Sequence, residues 1–88
     1  MFDTIEIKEV KEEIGTLVKV IRKQRGISQV QLAQSIDVSR TTLQSLENGN
    51  NSTIDTLLKV IKELDLLESL MSEVVAAKRQ VVNAKPLY

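Results

Sequence analysis

The sequence predicts an all-α fold of five helices. Three observations carry that expectation. Apolar residues recur at intervals of three and four along the chain, Ser or Thr N-cap candidates precede three of the recurring stretches, and Gly26 and Asn48-Gly49 stand as stops after two of them. Eighty-eight residues make one domain with a core of modest size. The two aromatic residues, Phe2 and Tyr88, lie at the chain ends, so the core must be built from Leu, Ile, Val and Ala.

Residues 1–9 read two ways. Thr4-Ile5-Glu6-Ile7-Lys8 alternates like an edge strand, while Ile7, Val10 and Ile14 also continue a helical face. A strand would need a partner, such as a β pairing across a dimer, and a frayed arm is favoured. From about Val10 to Arg25 the helical pattern is firm. Val10, Ile14, Leu17, Val18 and Ile21 form the apolar face, with acidic residues in the first turn and basic residues in the last, as the helix dipole prefers. Gly26 ends the helix.

Ser28 then caps Gln29–Ile36, with Leu32, Ala33 and Ile36 on one side, and Asp37-Val38 makes a short connection. Ser39 caps Arg40–Glu47, and Asn48-Gly49 supplies a left-handed stop. Two short capped helices joined by a tight turn are a helix-turn-helix, whose second helix can lie in the major groove of DNA. Only Leu43 and Leu46 of that helix are apolar, which leaves Arg40, Thr41, Thr42, Gln44 and Ser45 outside. Such a face suits hydrogen bonding to base edges and phosphates. A solvated helix with no role is the plainer alternative, and the capped pair with its turn favours DNA.

After the polar loop Asn50-Asn51-Ser52, Thr53 caps a fourth helix whose broad apolar face is Ile54, Leu57, Leu58, Ile61 and Leu64. From about Asp65, Leu66, Leu67, Leu70, Met71, Val74, Val75, Val81 and Val82 keep the helical spacing, interrupted by Lys78. One helix of about 18 residues there is about 27 Å long. That exceeds what four compact helices can cover, so Leu67, Leu70, Met71, Val74, Val75 and Val81 are candidates for a dimer seam or partner surface. The alternative is a helix that stops near Ser72 and a loose tail, and Pro86 fits a disordered end after Asn83. The chain thus divides into an arm leading into the first helix (1–13), a helix-turn-helix domain (14–67) and a C-terminal helix and tail (68–88).

Composition narrows the chemistry. With no cysteine and no histidine there is no disulfide framework, no thiolate or imidazole metal site and none of the commonest general bases. Ser and Asp have no His to join them, and no Gly-rich phosphate loop appears. Neither catalysis nor a metal or cofactor is expected. No apolar run is long enough for a signal peptide or a membrane span, so a cytoplasmic location without membrane association is the default. The net charge of zero is unusual for a nucleic-acid binder, but its distribution is uneven. Residues 1–13 carry a net −3, residues 14–49 a net +3, and residues 50–88 balance. The excess of positive charge falls on the helix-turn-helix and the helix before it, which weakly supports a DNA face.

The combination Ile14-Gly15, Arg22, Gly26-Ile27-Ser28-Gln29, Leu32-Ala33, Val38-Ser39, Thr42-Leu43, Leu46-Glu47-Asn48-Gly49 and Thr56-Leu57-Leu58 resembles the Xre/Cro/C1-type helix-turn-helix family of phage and bacterial repressors, HipB-like antitoxins among them. The resemblance covers residues 14–67. It implies a compact five-helix, lambda-repressor-like domain that binds operator DNA as a homodimer. It also implies roles: Gln29 contacts a phosphate and braces the helices, Ser39, Arg40, Thr41 and Ser45 face the DNA, Thr42 lies at the groove edge, and Asn48 approaches a phosphate. Arg40 would grip a guanine through O6 and N7. Arg22 and Glu47 match a partly buried ion pair that ties the first helix to the recognition helix. One departure matters: where the family commonly has Lys or Arg after Gly49, this chain has Asn50-Asn51-Ser52-Thr53, which predicts weaker binding with a shallower salt dependence.

The leading expectation is therefore a dimeric transcriptional repressor that reads a palindromic site in double-stranded DNA. A narrower variant is an antitoxin that binds both its operator and a toxin protein, with Val74–Tyr88 as the toxin-facing segment. A different class is a protein-interaction module that has kept the fold without DNA binding, for which the zero net charge and neutral loop speak.

Overall fold

A computed structural model describes residues 4–84 of the chain. It contains five α-helices and, among the described residues, no strand: α1 (Ile7–Gln24), α2 (Gln29–Ser35), α3 (Arg40–Glu47), α4 (Ile54–Glu63) and α5 (Leu67–Asn83). The expected five-helix, all-α fold is present. Of the loose end expected after Asn83, Ala84 is the C-cap of α5, and residues 85–88 with Pro86 lie outside the described residues.

Local chemistry explains most boundaries. The Ser28 hydroxyl accepts from the Gln31 N–H at 3.0 Å while the Gln31 side chain accepts from the Ser28 N–H at 2.7 Å, a reciprocal capping box. Ser39 and Thr53 cap α3 and α4 by accepting from the N–H of Thr42 and Thr56 at 3.0 and 3.1 Å. Gly49 takes the left-handed conformation, φ +78°, that closes α3. Two non-glycine residues also adopt it: Asp37, in the turn of the helix-turn-helix, and Asp65, between α4 and α5, at φ 58° and 62°. Short acidic side chains tolerate this region better than most.

The first helix starts at Ile7, three residues before the sequence placed it, so the helical alternative for residues 7–9 holds in place of a strand or arm. Glu6 caps it: its N–H donates to Glu9 Oε1 at 3.1 Å and its carbonyl accepts from the Val10 N–H at 3.2 Å. Glutamate is a weak N-cap signal beside Ser, Thr, Asp or Asn, which is why the pattern pointed further in.

The core consists of Val18 from α1, Leu32, Ala33 and Ile36 from the α2 region, Leu43 and Leu46 from α3, and Val60 of α4 with Leu64 at its C-cap. Ile14, Ile21, Ile27, Val38, Leu57 and Leu66 pack around it. On α4 the expected face is rotated. Ile54 and Leu58 point outward, while Val60, absent from the apolar stripe read in the sequence, is fully buried. The inward face instead runs Thr56, Val60 and Leu64, one row at i, i+4, i+8. Val10 and Leu17 of α1 are likewise half-exposed and lie outside the core.

The fifth helix runs its full 17 residues, and none of its side chains is buried. Its root meets α1 and α4, where Ser69 and Leu70 line a small cleft with Ile14, Leu17 and Leu64. The rest projects outward and stretches the molecule to 54 × 27 × 22 Å, with a radius of gyration of 15.8 Å. About 12 Å is expected for a compact chain of this length.

Gly15 explains how α1 lies so close to α3. A Cβ built there would sit 2.4 Å from the Glu47 carbonyl oxygen and 2.7 Å from that of Leu46. Alanine normally favours a helix interior over glycine by about 1 kcal/mol, but here it must push α3 away. Gly15→Ala is expected to lower stability by about 1–3 kcal/mol, as overpacking does, seen as a fall in Tm in thermal unfolding. An unchanged or higher Tm would contradict the close approach of the two helices.

Candidate nucleic-acid interface

The C-terminal end of α3 is fastened before its outer face is considered. Glu47 is buried and carries a carboxylate that needs partners. Arg22 of α1 supplies two, with Nε donating to Oε2 at 2.7 Å and Nη2 donating to Oε1 at 3.1 Å, a bidentate pair. Gln29, the first residue of α2, adds a third bond from Nε2 to Glu47 Oε1 at 3.0 Å. The remaining guanidinium edge donates from Nη1 to the Ile27 carbonyl at 3.0 Å. Three helices and the α1–α2 turn thus meet at one carboxylate. Among the described residues no buried side-chain nitrogen or oxygen lacks a partner. Desolvation pushes the Glu47 carboxyl up, but the hydrogen bonds from Arg22 and Gln29, with the charges of Arg22 and Lys19, outweigh it and hold its pKa below the ordinary value. The same hydrogen bond raises the Arg22 guanidinium against its own desolvation.

With its end held and Leu43 and Leu46 buried, α3 turns the opposite side outward. Arg40, Thr41 and Gln44 are exposed, and Thr42 and Ser45 are half-buried along its edge. The sequence-derived DNA residues therefore share one surface, but not all are equally free. The Ser39 hydroxyl caps α3 and lies 2.8 Å from the Thr42 hydroxyl, so both oxygens already take part in a local bond. The Gln29 amide is engaged by Glu47, which is the bracing half of its expected role. Asn48 is exposed and closes α3 through its N–H to the Gln44 carbonyl at 3.0 Å.

Two open clefts flank α3 and meet at Ser45 and Asn51. One, of about 340 Å³, is lined by hydroxyls and amides, including Thr41, Thr42, Ser52, Thr53 and Thr56. The other, of about 720 Å³, is lined by Ile7, Lys8, Lys11, Ser45, Gly49, Asn50 and Asn51. Lys11 Nζ donates to Asn51 Oδ1, which ties the loop after Gly49 back to α1. Lys8 and Lys11 are not among the residues that the sequence singles out. The signal is present: they precede Gly15 by seven and four residues and so share its face of α1. It is hidden because the apolar spacing marks a firm helix only from Val10.

The distribution of charge is also different from the expectation. Of the five cations in residues 14–49, Arg22 is held in the buried pair. Arg25 reaches the end of α4, donating from Nη1 to the Glu63 carbonyl at 3.1 Å and from Nη2 to the Leu64 carbonyl at 3.2 Å and Asp65 Oδ2 at 3.1 Å. A cation there complements the helix dipole. These two charges serve the fold, whereas Lys8 and Lys11, counted with the acidic N-terminal residues, border α3 at Ser45.

A helix-turn-helix family model matches residues 18–68, more than half of the chain. Antitoxin HipB of Escherichia coli strain K12 is 30% identical over 59 residues, which cover 66% of this chain and 67% of that protein. Antitoxin HipB of Escherichia coli O6:H1 strain CFT073 is 29% identical over 59 residues, covering 66% of this chain and 63% of that protein.

The buried pair sets a pH dependence with a definite sign. Because the folded pKa of Glu47 is lowered, its contribution to stability is present above the unfolded value of about 4.3 and is lost as pH falls through the folded value. Glu47→Gln should remove this acid-side component and, by leaving the Arg22 charge without its counterion, cost about 3 kcal/mol at neutral pH. Chemical denaturation at about pH 7 and about pH 3, either side of the carboxylate range, checks both. A variant as stable as wild type at neutral pH would contradict the assignment.

Proposed function

The chain belongs to the Xre-type helix-turn-helix family, a family of DNA-binding transcriptional regulators, and from that membership we propose that it is a dimeric repressor reading a palindromic operator with α3. The observation that carries this reading is the exposed side of α3, with Arg40, Thr41 and Gln44 on a helix whose other side and C-terminal end are fixed. Arg40 contacts a guanine edge, Thr41, Gln44 and Ser45 contact neighbouring bases or sugar-phosphate, and Gln29, Ser39, Thr42 and Asn48 sit toward the phosphates. Lys8 and Lys11 deliver from α1 the cations that the loop after Gly49 lacks. A dimer is required on physical grounds, since one short helix reads few base pairs while two, about 34 Å apart, read two half-sites. Such a protein works in the compartment that holds the DNA it regulates.

A second reading is favoured by the HipB relatives, both of which are antitoxins by name. On this reading the same chain also binds a toxin protein. Its DNA face is unchanged, so the two readings are separated by whether the product of a neighbouring gene co-purifies with it. A stable complex adds the antitoxin role, and its absence leaves the repressor alone.

Binding to duplex DNA from upstream of its own gene is measured by fluorescence anisotropy across a salt series. Wild type is expected to bind, and Arg40→Ala to lose about 10–100-fold in affinity for the specific site, as removal of a bidentate base contact does. Lys8→Gln with Lys11→Gln should weaken binding to every duplex and reduce the salt slope by about 1 for each lysine–phosphate pair removed. No binding at about 50 mM salt, or a specific affinity indifferent to Arg40→Ala, would defeat the repressor reading.

A further inference from the structure

Two of the exposed apolar stripes that lie outside the core, one on α1 and one on α5, each have a charge set in the middle. On α1, Val10, Leu17 and Val20 are 44–46% exposed. At about 100° per residue, Glu13 falls within the arc that these three span. With Ile5, Glu9, Glu13 and Ile14, Val10 and Leu17 of this stripe line an open, mainly apolar groove of about 570 Å³. On α5, Met71, Val74 and Val81 are 63, 56 and 76% exposed. Lys78 falls within their arc in the same way. Among the described residues neither Glu13 nor Lys78 has an ion-pair partner.

We propose that the α5 stripe of one copy lies in the α1 groove of a second copy, with Lys78 meeting Glu13 across the seam. This rests on the dimeric reading above and names its contact. Three features favour a second copy of this chain as the occupant. The stripes are complementary in kind, each apolar and each with one central charge of opposite sign. Their helices also meet on one molecule, where Ser69 and Leu70 at the root of α5, next in sequence to Met71, line a cleft with Ile14 and Leu17 of α1. A two-fold axis therefore buries both stripes of both copies in one self-complementary surface. Finally, α5 contains no glycine or proline that would let it fold back on its own α1, and at about 25 Å it matches α1 at about 27 Å. A lysine in the centre of an apolar stripe is costly to bury alone, and a facing carboxylate makes that position tolerable while setting the register.

This surface lies apart from the recognition helix. Gly15, Val18 and Arg22 turn toward α3, and the Val10–Leu17 face lies more than a third of a turn around α1 from Gly15.

The test is the dimer dissociation constant of the full chain, measured by sedimentation equilibrium, with circular dichroism to confirm that each variant keeps its helices. Lys78→Glu and Glu13→Lys are both on exposed positions and should each weaken dimerisation by about tenfold or more, since like charges then face each other. The double exchange should restore it to within about threefold of wild type, a coupling that independent sites do not show. A wild-type chain that stays monomeric, single reversals without effect, or a double exchange no better than the single ones would each overturn the proposal. Non-specific DNA affinity at low salt should survive Lys78→Glu, so a failed seam is distinguishable from a failed DNA reading.

Discussion

One buried carboxylate organises this domain. Glu47 closes α3 in a place where water cannot solvate it, so the fold must bring it donors. The guanidinium of Arg22 and the amide of Gln29 do so from α1 and α2. Gly15 permits the approach, because only a residue without a Cβ leaves room for the last carbonyls of α3 against α1. An apolar contact could supply comparable stability, but it would not specify direction in the same way. A bidentate pair holds only within a narrow range of angles. The orientation of α3 relative to α1 and α2 is thereby set by chemistry at its end and not along its length.

That placement has a functional consequence. The eight residues of α3 contribute two apolar side chains to the core, Leu43 and Leu46, and hydrophobic burial of two leucines would hold a short helix loosely. With the anchor at Glu47, the N-terminal turns can remain almost wholly polar and outward-facing. Arg40, Thr41 and Gln44 are free because residues elsewhere do the holding. The electrostatics follow the same division. Arg22 and Arg25 serve the architecture, one inside and one at the end of α4, while the lysines of the first turns of α1 border the groove beside Ser45. A chain with no net charge can in this way set two lysines beside α3.

The helix-turn-helix was legible in the sequence because its determinants are local. Ser28, Ser39 and Thr53 act on amides three residues away, and Gly49 acts on its own backbone. The Arg22–Glu47 pair was legible only through resemblance to a family, since no local pattern dictates that side chains 25 residues apart must meet. What the sequence conceals depends on tertiary contact. Val60 is buried and Leu58 exposed because α4 turns the row containing Thr56 to the core, a choice made by its neighbours and not by its own pattern. Arg25 has the sequence character of a DNA cation, and only the fold sets Glu63 and Leu64 beside it. Lys8 and Lys11 lie in a segment whose helical start is signalled by a glutamate, a weak cap. The long α5 was readable from its apolar spacing, while the identity of what covers it was not.

The central claim is that α3 is a rigid element whose free side meets duplex DNA. The most direct test is an amide-resolved NMR titration of the full chain with a duplex from its own promoter region at low salt. The account predicts shifts confined to Gln29, residues 39–45 and 48–51, and the first turns of α1, with the amides of Leu43, Leu46 and Glu47 remaining protected from exchange throughout. Shifts that map to α5 while Arg40, Thr41 and Gln44 stay unmoved, or loss of protection across α3 on binding, would contradict it.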